Sequence, residues 1–475
     1  MTTVSTTVLF LGIGGSGMSS LAHMALDLGQ TVIGYDKAES KVTELLKKRG
    51  AIIHPNLDAV PLTSIDLVVY SSAIHDKFPN LFETIRSKNI PVLHRSTYLH
   101  QIVSKKKSIS IAGSHGKTST TTMVSQILIE SGMDPTVMIG GDTEVLGGKG
   151  GKGGLGDYAV YESDESDGSF LNHKAQIRIL TNIDNDHLDH YKTRERLENA
   201  FLKYMAFDTQ GHLVLYLDDS GITDVLNHNI GDIEYDANFH LWVVTDKTKF
   251  NHSQILNQLK EKLNSHLHCI FYTFEKESLV LKSEEGKEFL LQLTFPGVHY
   301  LTNGSLAVVA SKIVGVEEKK SVNILREYKG VKRRQEKLGE WKGVTVIDDY
   351  GHHPTEIQMV IQSLKEKWQG VGRLIVLFQP HRYTRTQLLL SELAHSLGAA
   401  DFVFLLPIYS AGEEPIPGIS HDSFLTHMDS KNTSLLSGQI LADVHSIKQI
   451  LSSGDCFLCL GAGNVRSWGE TLIGT

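Results

Sequence analysis

Short apolar runs recur along the chain, and each is followed by a polar loop and then by apolar residues at helical spacing. The first runs are Thr7–Leu11, Thr31–Tyr35 and Leu67–Tyr70. Continuous apolar runs of this length are typical of strands that are buried on both faces of a parallel sheet. The pattern therefore predicts an α/β fold with a doubly wound sheet.

The same pattern begins again twice. A basic polar connector, Ser104–Ser108, precedes apolar runs at Ile109–Ala112, Tyr158–Tyr161 and Ile177–Leu180. A third start follows Lys329–Arg334, with runs at Val344–Ile347, Leu374–Phe378, Phe402–Leu406 and Cys456–Leu460. At about 150 residues per domain, a chain of 475 residues holds about three domains. We predict three consecutive α/β domains, over residues 1–105, 106–328 and 329–475.

Two further segments are predicted to be structural. Gly147–Gly156 is rich in glycine and of low complexity, which predicts a mobile surface loop. Cys456 and Cys459 have C-x-x-C spacing but stand within an apolar run. Because successive side chains of a strand alternate between faces, the two thiols would face opposite sides. We expect a buried structural pair rather than zinc or redox chemistry.

Composition narrows the class of protein. The chain has 46 Lys and Arg against 54 Asp and Glu, a net charge of −8, whereas a general nucleic-acid binder carries a basic face. Its 3 cysteines form no disulfide framework and favour a reducing compartment. The first residues lack the features of a signal peptide, and no stretch reaches the roughly 18 apolar residues of a membrane span. We expect a cytoplasmic monomer or homodimer that binds no nucleic acid and does not insert into membranes.

The first glycine-rich loop matches a dinucleotide-binding fingerprint. Gly12, Gly14 and Gly17 follow one predicted strand, and Asp36 ends the next. The glycines allow a tight turn against a diphosphate at a helix N-terminus, and the acid can bind a ribose hydroxyl. The motif favours NAD(P), leaves another nucleotide-like diphosphate open, and has a purely structural turn as a third explanation.

A second glycine loop, Gly113–Thr118, also joins a strand to a helix. Its backbone N–H groups can hold β- and γ-phosphates, with the Lys117 ammonium on the phosphates and the Thr118 hydroxyl on Mg²⁺. The full Walker pattern would need glycine at position 111, where the chain has Ile111. Binding of a nucleoside triphosphate is favoured over an ordinary strand-to-helix turn.

Acidic residues follow two strands of the second predicted domain. Glu162–Asp167 and Asp184–His187 stand just past strand ends, and the carboxyl ends of parallel strands meet at one edge of a sheet. Mg²⁺ takes carboxylate and phosphate oxygens, and histidine is a less usual ligand. We expect one or two of these acids to bind metal and most of the others to be solvated charges.

Polar and aromatic residues follow two strands of the third predicted domain, at Asp348–Pro354 and Gln379–Arg385. Arg382 and Arg385 share one side if their turn is helical. Two such arginines can grip a carboxylate, or they can offset charge on a transferred phosphoryl group. Their alternative role is that of ordinary surface ion-pair partners.

Together, several of these strings resemble the Mur ligases of bacterial cell-wall synthesis, over nearly the whole chain. The matching strings are Gly12–Met18, Gly113–Thr118, Glu162–Leu171, Thr181–Tyr191, Phe295–Asn303, Asp348–Ile357, Phe378–Thr386, Tyr409–Ile419 and Gly461–Asn464. The resemblance implies a Rossmann-like N-terminal domain that holds the UDP part of the substrate. It further implies a central P-loop domain that binds ATP and a Rossmann-like C-terminal domain for the incoming amino acid.

The resemblance is nearest to the branch that joins L-alanine to the lactyl carboxylate of UDP-N-acetylmuramate, through an acyl phosphate and with ATP and Mg²⁺. The catalytic residues that it implies are Lys117, Glu162, His187, His352 (the candidate general base) and Arg382. The implied metal ligands are Thr118, Glu162 and His187. The implied ATP-binding residues are Gly113, Ser114, His115, Gly116, Lys117, Thr118, Ser119, Asn303, Arg334 and Asp349. The implied substrate-binding residues are Gly14, Gly15, Ser16, Gly17, Met18, Asp36, Ser71, Arg95, Tyr350, His381, Arg382 and Arg385.

Four positions depart from the family pattern. Ser114 replaces a threonine, Tyr300 an asparagine and Gln335 a phenylalanine. Phe201 stands where several Mur ligases carry a carbamylated lysine, and the nearby Lys203 is assigned no role. A missing lysine at that position is consistent with the branch that adds L-alanine.

Three alternatives remain open at this point. The recycling branch of the family adds a ready-made tripeptide to the same UDP-sugar acid. The segment Gly330–Arg334 slightly favours this branch. An NAD(P)-dependent oxidoreductase would account for the first glycine loop but not for Lys117 and Thr118. A non-catalytic nucleotide-binding regulator would not need the lysine, acids and arginines of the later strings.

Overall fold

Buried apolar strands open the fold as a five-stranded parallel sheet of order β3-β2-β1-β4-β5. The computed structural model describes residues 6–71, 74, 79–172, 174–231, 233–246, 248, 252–275, 278–283, 285–294, 297–428 and 431–474. The strands are β1 (Thr7–Leu11), β2 (Thr31–Tyr35), β3 (Ile52–His54), β4 (Leu67–Tyr70) and β5 (Val92–His94). The helices are α1 (Ser16–Asp27), α2 (Lys41–Lys48), α3 (Pro79–Ser87) and α4 (Arg95–Val103).

A ten-stranded sheet follows, in the order β15-β14-β13-β12-β11-β10-β6-β9-β7-β8. It is parallel from β13 to β7, with antiparallel strands at both ends. Its strands are β6 (Lys107–Ala112), β7 (Thr136–Thr143), β8 (Lys149–Lys152), β9 (Tyr158–Glu162), β10 (Ile177–Leu180), β11 (Gly211–Tyr216), β12 (Phe239–Asp246), β13 (Leu267–Glu275), β14 (Ser278–Ser283) and β15 (Glu288–Gln292). Its helices are α5 (Lys117–Glu130), α6 (Leu188–Tyr191), α7 (Arg194–Met205), α8 (Ser220–Asn229), α9 (His252–Leu263), α10 (Val298–Ile313) and α11 (Glu318–Leu325).

The third sheet has six strands in the order β16-β17-β21-β18-β19-β20, and only β16 is antiparallel to its neighbour. Its strands are β16 (Glu336–Trp341), β17 (Val344–Asp349), β18 (Leu374–Phe378), β19 (Phe402–Leu405), β20 (Thr433–Leu435) and β21 (Cys456–Leu460). Its helices are α12 (Pro354–Trp368), α13 (Tyr383–Ser396), α14 (Ile440–Ile450) and α15 (Arg466–Ile473).

The predicted α/β fold is confirmed. The strands predicted from apolar runs are all present, and their ends differ from the prediction by at most two residues. The chain divides into two compact units. Unit 1 comprises Met1–Thr294 and Tyr300–Lys329, and unit 2 comprises Phe295–His299 and Gly330–Thr475. Within the described residues, no helix has both the length and the apolarity to cross a bilayer.

The first two sheets belong to one unit because they share a core. Val8 and Phe10 of β1 pack in the same cluster as Met138 of β7 and Tyr161 of β9. The third sheet has its own core on both faces. The domain boundaries proposed from the sequence stay a prediction.

The prediction of a mobile surface loop at Gly147–Gly156 is wrong. Four residues of the segment form β8, which pairs with β7 and packs against α1. A Cβ at Gly151 would lie 1.9 Å from the carbonyl oxygen of Ser20. The glycines therefore allow the backbone to approach a helix closely, a use of glycine that low complexity does not distinguish from flexibility.

Two other residue assignments depend on which face of a sheet a side chain occupies. Cys456 lies in the core on one face of the third sheet and Cys459 in the core on the other, both as buried free thiols. The predicted burial of the two thiols on opposite faces of the strand is confirmed. In the middle sheet's core, Phe201 packs edge-on against Phe170, whereas Lys203 is exposed.

Candidate active site

The first glycine loop connects β1 to α1 and is bound to the residue that follows β2. The Gly14 N–H donates to Asp36 Oδ2 at 2.8 Å, and a Cβ at Gly14 would lie 2.8 Å from the same oxygen. The other Asp36 oxygen accepts from the Ala38 N–H at 3.1 Å. Asp36 therefore fixes the backbone of the loop, and its assignment to a substrate hydroxyl stays a prediction.

The other N-terminal candidates gather at the carboxyl ends of β1 and β4. Gly15 precedes α1, whose first turn contains residues 16–18. A Cβ at Gly17 would lie 3.0 Å from an Arg95 guanidinium nitrogen, so Arg95 lies against this turn. Ser71 follows β4 directly. The sheet thus brings the predicted substrate residues to one edge.

Arg95 connects this edge to the acids that follow β9. Its Nη2 is 2.7 Å from Asp164 Oδ2 and 3.7 Å from Asp167 Oδ2. Burial opposes the charged forms, but the attraction between them outweighs it. The pKa of Arg95 is raised, and the pKa of Asp164 is held well below its usual range. These two acids are arginine partners rather than the solvated charges that the sequence predicts.

The second glycine loop runs from β6 to α5 through two glycines in the left-handed region. The φ angle is +133° at Gly113 and +83° at Gly116. Residues that carry a side chain rarely adopt such positive φ angles. A Cβ at Gly113 would lie 2.1 Å from Thr181 Oγ1, and one at Gly116 would lie 2.7 Å from Asn303 Oδ1. Asn303, a predicted nucleotide residue, therefore lies against the loop.

The backbone of this loop is anchored to the segment that follows β10. The His115 N–H donates to Asn182 Oδ1 at 2.8 Å, and the His115 carbonyl accepts from Thr181 Oγ1 at 2.6 Å. Ser114 Oγ accepts from the Asp184 N–H at 2.8 Å. His115 Nε2 lies 2.9 Å from Asp184 Oδ2. The loop is thus held in place by hydrogen bonds from both backbone and side chains.

Lys117 begins α5, and its ammonium lies within the loop. Nζ donates to the carbonyl oxygens of Gly113 at 2.5 Å and Ser114 at 3.1 Å, and to Glu165 Oε1 at 2.7 Å. Burial disfavours the charged form, but the neighbouring acids, Glu165 foremost, outweigh it and raise the pKa of Lys117. The loop therefore holds a permanent cation at neutral pH.

Glu165 is a residue of this edge that the sequence did not single out. Its side chain is 1% exposed, and Oε1 lies 2.7 Å from Lys117 Nζ and 3.4 Å from His187 Nε2. Burial opposes protonation of His187, but Glu165 and Asp186 outweigh it and raise the His187 pKa. Glu165 stands among several acids in one string, and nothing in their spacing distinguishes it.

The donor set at this edge fits nucleotide phosphates with Mg²⁺. Thr118 belongs to the first turn of α5, and Glu162, which ends β9, accepts from the Gly140 N–H at 2.7 Å. Within the described part of the chain, the buried Glu165 Oε2 has no hydrogen-bond partner. Carboxylate and hydroxyl oxygens are the ligands that Mg²⁺ prefers, and a lysine at a helix N-terminus suits phosphate. Thr118, Glu162 and His187 stay the predicted metal ligands.

In unit 2, Asp349 ends β17 and organises the turn that follows. Its Oδ1 accepts from the Gly351 N–H at 2.7 Å, and its Oδ2 accepts from the Gln335 N–H at 2.8 Å. Burial nevertheless raises the pKa of Asp349 to about 6. Because Gln335 contributes its backbone here, its departure from the family pattern leaves this contact intact.

The turn after β17 presents an aromatic ring and a basic nitrogen. The Arg334 guanidinium lies 5.4 Å from the centre of the Tyr350 ring and 3.5 Å from Glu356 Oε1. The His352 N–H donates to Glu356 Oε2 at 3.1 Å, and His352 Nδ1 is 3.1 Å from the Tyr350 carbonyl oxygen. Since a carbonyl only accepts, Nδ1 carries the proton in this contact and Nε2 keeps a lone pair. That tautomer suits a general base.

His381, Arg382 and Arg385 lie at the start of α13, after β18. The His381 ring stacks on Tyr409 with centroids 5.6 Å apart and stands 6.0 Å from the His352 ring. Arg385 Nη1 is 3.4 Å from His381 Nδ1. Burial and the two arginines lower the pKa of His381 to about 4, so this ring is neutral at pH 7. The structure thus brings these predicted residues together.

Arg382 has an acidic partner that the sequence did not identify. Its Nε is 2.6 Å from Glu413 Oε1, and Glu413 also accepts from the Thr384 N–H at 3.0 Å. Burial would raise the pKa of Glu413, but Thr384 and Arg382 lower it. Glu413 lies in the string Tyr409–Ile419, whose closeness to Arg382 follows only from the fold.

Family models match almost the whole chain. The model described as "Mur ligase family, catalytic domain" matches residues 7–107, "Mur ligase middle domain" matches residues 111–311, and "Mur ligase, glutamate ligase domain" matches residues 333–463. Together with the 38% identity to a curated relative over 98% of the chain, these matches show that the chain belongs to the Mur ligase family of ATP-dependent ligases.

Among individual proteins, the chain is similar to enzymes named UDP-N-acetylmuramate–L-alanine ligase. It is 38% identical over 471 residues to the one from Dictyoglomus turgidum, covering 98% of this chain and 96% of that protein. It is 36% identical over 470 residues to the one from Bradyrhizobium diazoefficiens, with the same coverage.

Two solved structures share the fold. The UDP-N-acetylmuramate–alanine ligase of Thermotoga maritima superposes with a TM-score of 0.75 at 24% identity, covering 98% of each chain. The murein peptide ligase of Psychrobacter arcticus superposes with a TM-score of 0.71 at 22% identity, covering 99% of this chain and 98% of that one. At these identities the comparisons support the three-sheet fold and do not separate the two branches of the family.

Proposed function

We propose that this chain joins L-alanine to the lactyl carboxylate of UDP-N-acetylmuramate, converting ATP to ADP and phosphate. The observation that carries the proposal is the 38% identity, over 98% of the chain, to an enzyme named for that reaction. We further propose that the enzyme acts in the cytoplasm, at a step of peptidoglycan synthesis. The first glycine loop then holds the UDP diphosphate rather than a nicotinamide cofactor.

The first step transfers the terminal phosphoryl group of ATP to the lactyl carboxylate and forms an acyl phosphate. Two anionic reactants have to meet, so positive charge near the transferred group lowers the barrier. Lys117 supplies that charge, and Glu165, 2.7 Å from its ammonium, keeps it protonated and positioned. When bound to Thr118, Glu162 and His187, Mg²⁺ would supply further neutralisation of the phosphate oxygens.

In the second step, the amine of L-alanine attacks the carbonyl carbon of the acyl phosphate, and phosphate leaves. We assign Arg385 and Arg382 to the alanine carboxylate and to the developing oxyanion, because a guanidinium presents several N–H donors in one plane. His352 is the candidate base, since its Nε2 keeps a lone pair when Nδ1 donates to the Tyr350 carbonyl oxygen, 3.1 Å away. His381, neutral at pH 7, would serve beside them as a hydrogen-bonding group.

The test is the release of phosphate from ATP in the presence of Mg²⁺ and UDP-N-acetylmuramate. We expect release that depends on L-alanine, that is lost in Lys117→Ala and that is unchanged in Lys203→Ala, an exposed lysine outside the site. Release only with L-Ala-γ-D-Glu-meso-diaminopimelate would move the chain to the recycling branch. If neither amine supports release, the proposed ligation is wrong.

A further inference from the structure

A cleft of about 990 Å³ opens at the edge of the middle sheet that is opposite the second glycine loop. It is lined by the end of α4, the connector after it, the start of β6 and the start of β11 and β12. Ser108 is the last residue of β6 that lines the cleft, and the five residue steps from it to Gly113, at about 3.3 Å each, correspond to about 16 Å. The cleft is therefore separate from the ATP site proposed above, and its volume is that of a pocket for one organic ligand.

The lining of this cleft is basic. Its cationic and imidazole side chains are Lys105, Lys106, Lys107, Lys174, His100, His212 and His240. No aspartate or glutamate is among the described residues that line it, although the chain as a whole has a net charge of −8. Such a concentration of one charge sign attracts anions.

Two of the lysines have no ion-pair partner among the residues that the structure describes. Lys106 Nζ donates to the carbonyl oxygens of Gly154 at 3.0 Å and Gly156 at 2.5 Å, and Lys107 Nζ lies 5.7 Å from the centre of the Tyr158 ring. Lys105 and Lys174, by contrast, are exposed and have no ion pair with any described residue. Their ammonium groups are available to a ligand.

The histidines add a neutral hydrogen-bond donor to the lining of the cleft. His212 and His240 are directly opposite each other on β11 and β12, with ring centroids 5.3 Å apart. Burial and the neighbouring histidines lower the pKa of His212 to about 4. Trp242 Nε1 donates to His212 Nδ1 at 3.2 Å, so the proton of this neutral ring is on Nε2, which can donate to a ligand oxygen.

We propose that this cleft binds a phosphorylated organic anion of nucleotide size, at a site distinct from the catalytic edge. Lys105 and Lys174 neutralise its phosphates, and the stacked rings of His212 and His240 supply a donor and a flat surface beside them. A free phosphate ester and a lipid phosphate headgroup share this chemistry. The proposal commits to the soluble ester, because the lysines line a concave cleft of limited volume.

The test is calorimetric titration with inorganic tripolyphosphate in Mg²⁺-free buffer, with saturating ADP and UDP-N-acetylmuramate occupying the other sites. We expect one equivalent to bind the wild-type chain and Kd to rise about tenfold in Lys105→Ala/Lys174→Ala, as loss of two screened charges predicts. Lys88→Ala/Lys203→Ala removes the same charge from exposed positions outside the cleft and should leave Kd within about twofold. Both double variants should release phosphate at the wild-type rate, which shows that they are folded.

Three results would overturn the proposal. The first is the absence of binding to the wild-type chain, and the second is an equal loss of affinity in both double variants. The third comes from sedimentation with phosphatidylglycerol vesicles. If the chain sediments with the vesicles and tripolyphosphate does not compete, the basic lining of the cleft binds a membrane surface instead of a soluble ester.

Discussion

The pair formed by Lys117 and Glu165 offers the sharpest test of how the second glycine loop, Gly113–Thr118, is held in place. Lys117→Met leaves the Glu165 carboxylate, which is 1% exposed, without its ammonium partner. Glu165→Gln leaves an ammonium whose side chain is 17% exposed and which still has two carbonyl acceptors. We therefore expect the lysine variant to be the less stable of the two.

The magnitudes follow from the burial of each group. Removing one partner of a buried ion pair costs about 3–5 kcal/mol. Because His187 Nε2 remains 3.4 Å from Glu165 Oε1, we place Lys117→Met at the lower end of that range, at about 3 kcal/mol. The ammonium of Glu165→Gln keeps its carbonyl acceptors, so the loss is close to that of a charged hydrogen bond, about 2 kcal/mol. In the double variant no charge is left unpaired. Its loss should therefore be smaller than the sum of the single losses by about 3 kcal/mol.

Hydrogen exchange measured by mass spectrometry is the suitable assay, because it gives the free energy of local opening without assuming that the whole chain unfolds in one step. Peptides that cover residues 113–122 and 158–170 contain both partners. If the free-energy losses of the two single variants sum to the loss of the double variant within about 0.5 kcal/mol, the two side chains are not coupled. Lys203→Met, on the exposed face of α7, should leave the exchange of both peptides unchanged.

Three further predictions address packing, pH and the amino-acid site. Gly151→Ala should lower the stability of unit 1 by about 2–3 kcal/mol, because its Cβ would lie 1.9 Å from the Ser20 carbonyl oxygen. Gly231→Ala, with open space around it, is the control, and equal thermal unfolding of the two variants would contradict the close packing of β8 against α1. The His23 ring is 2% exposed and accepts from Arg49 Nη1 at 2.7 Å, and burial, with Arg49 and Lys149, lowers its pKa from 6.5 to about 4. The unfolded chain therefore binds the proton more tightly between these values, so stability should rise by about 3 kcal/mol from pH 4 to 6.5 and level off above. His23→Gln keeps an acceptor for Arg49 without titrating, and its urea midpoint should change less over that range; an unchanged slope would rule out His23 as the cause. Glu413→Gln removes the anionic partner of Arg382 and should raise the KM for L-alanine about tenfold with the KM for ATP unchanged, whereas the exposed Asp422→Asn should change neither. An equal rise in both KM values would indicate a general disturbance of unit 2.

Much of the fold can be predicted from short stretches of the sequence. A strand in the interior of a parallel sheet is buried on both faces, so it needs an unbroken apolar run, as in Leu374–Phe378 and Cys456–Leu460. The loop after such a strand needs glycine where the backbone enters the left-handed region, as at Gly113 and Gly116. Both requirements act on neighbouring residues, and for that reason the strands, the two glycine loops and the family resemblance could be predicted from the chain alone.

The partners within the site could not be predicted in this way. Glu165 is one of several acids after β9, and it contacts Lys117 because β9 lies beside β6 in the sheet. Glu413 meets Arg382 across a separation of 31 residues. The basic cleft combines the end of α4 with the start of β11 and β12, which are far apart in the chain.

The sequence by itself determined the class of fold, the position of both glycine loops and the residue types available for phosphate and carboxylate chemistry. The tertiary structure alone decided that Glu165 contacts Lys117, that Glu413 contacts Arg382, and that Gly147–Gly156 contains a strand, β8, that pairs with β7 and packs against α1. The physical reason is that side-chain partners and close backbone contacts depend on strand order and register. Strand order and register are set by the packing of whole sheets, so the residues next to each side chain in the sequence do not reveal its partner.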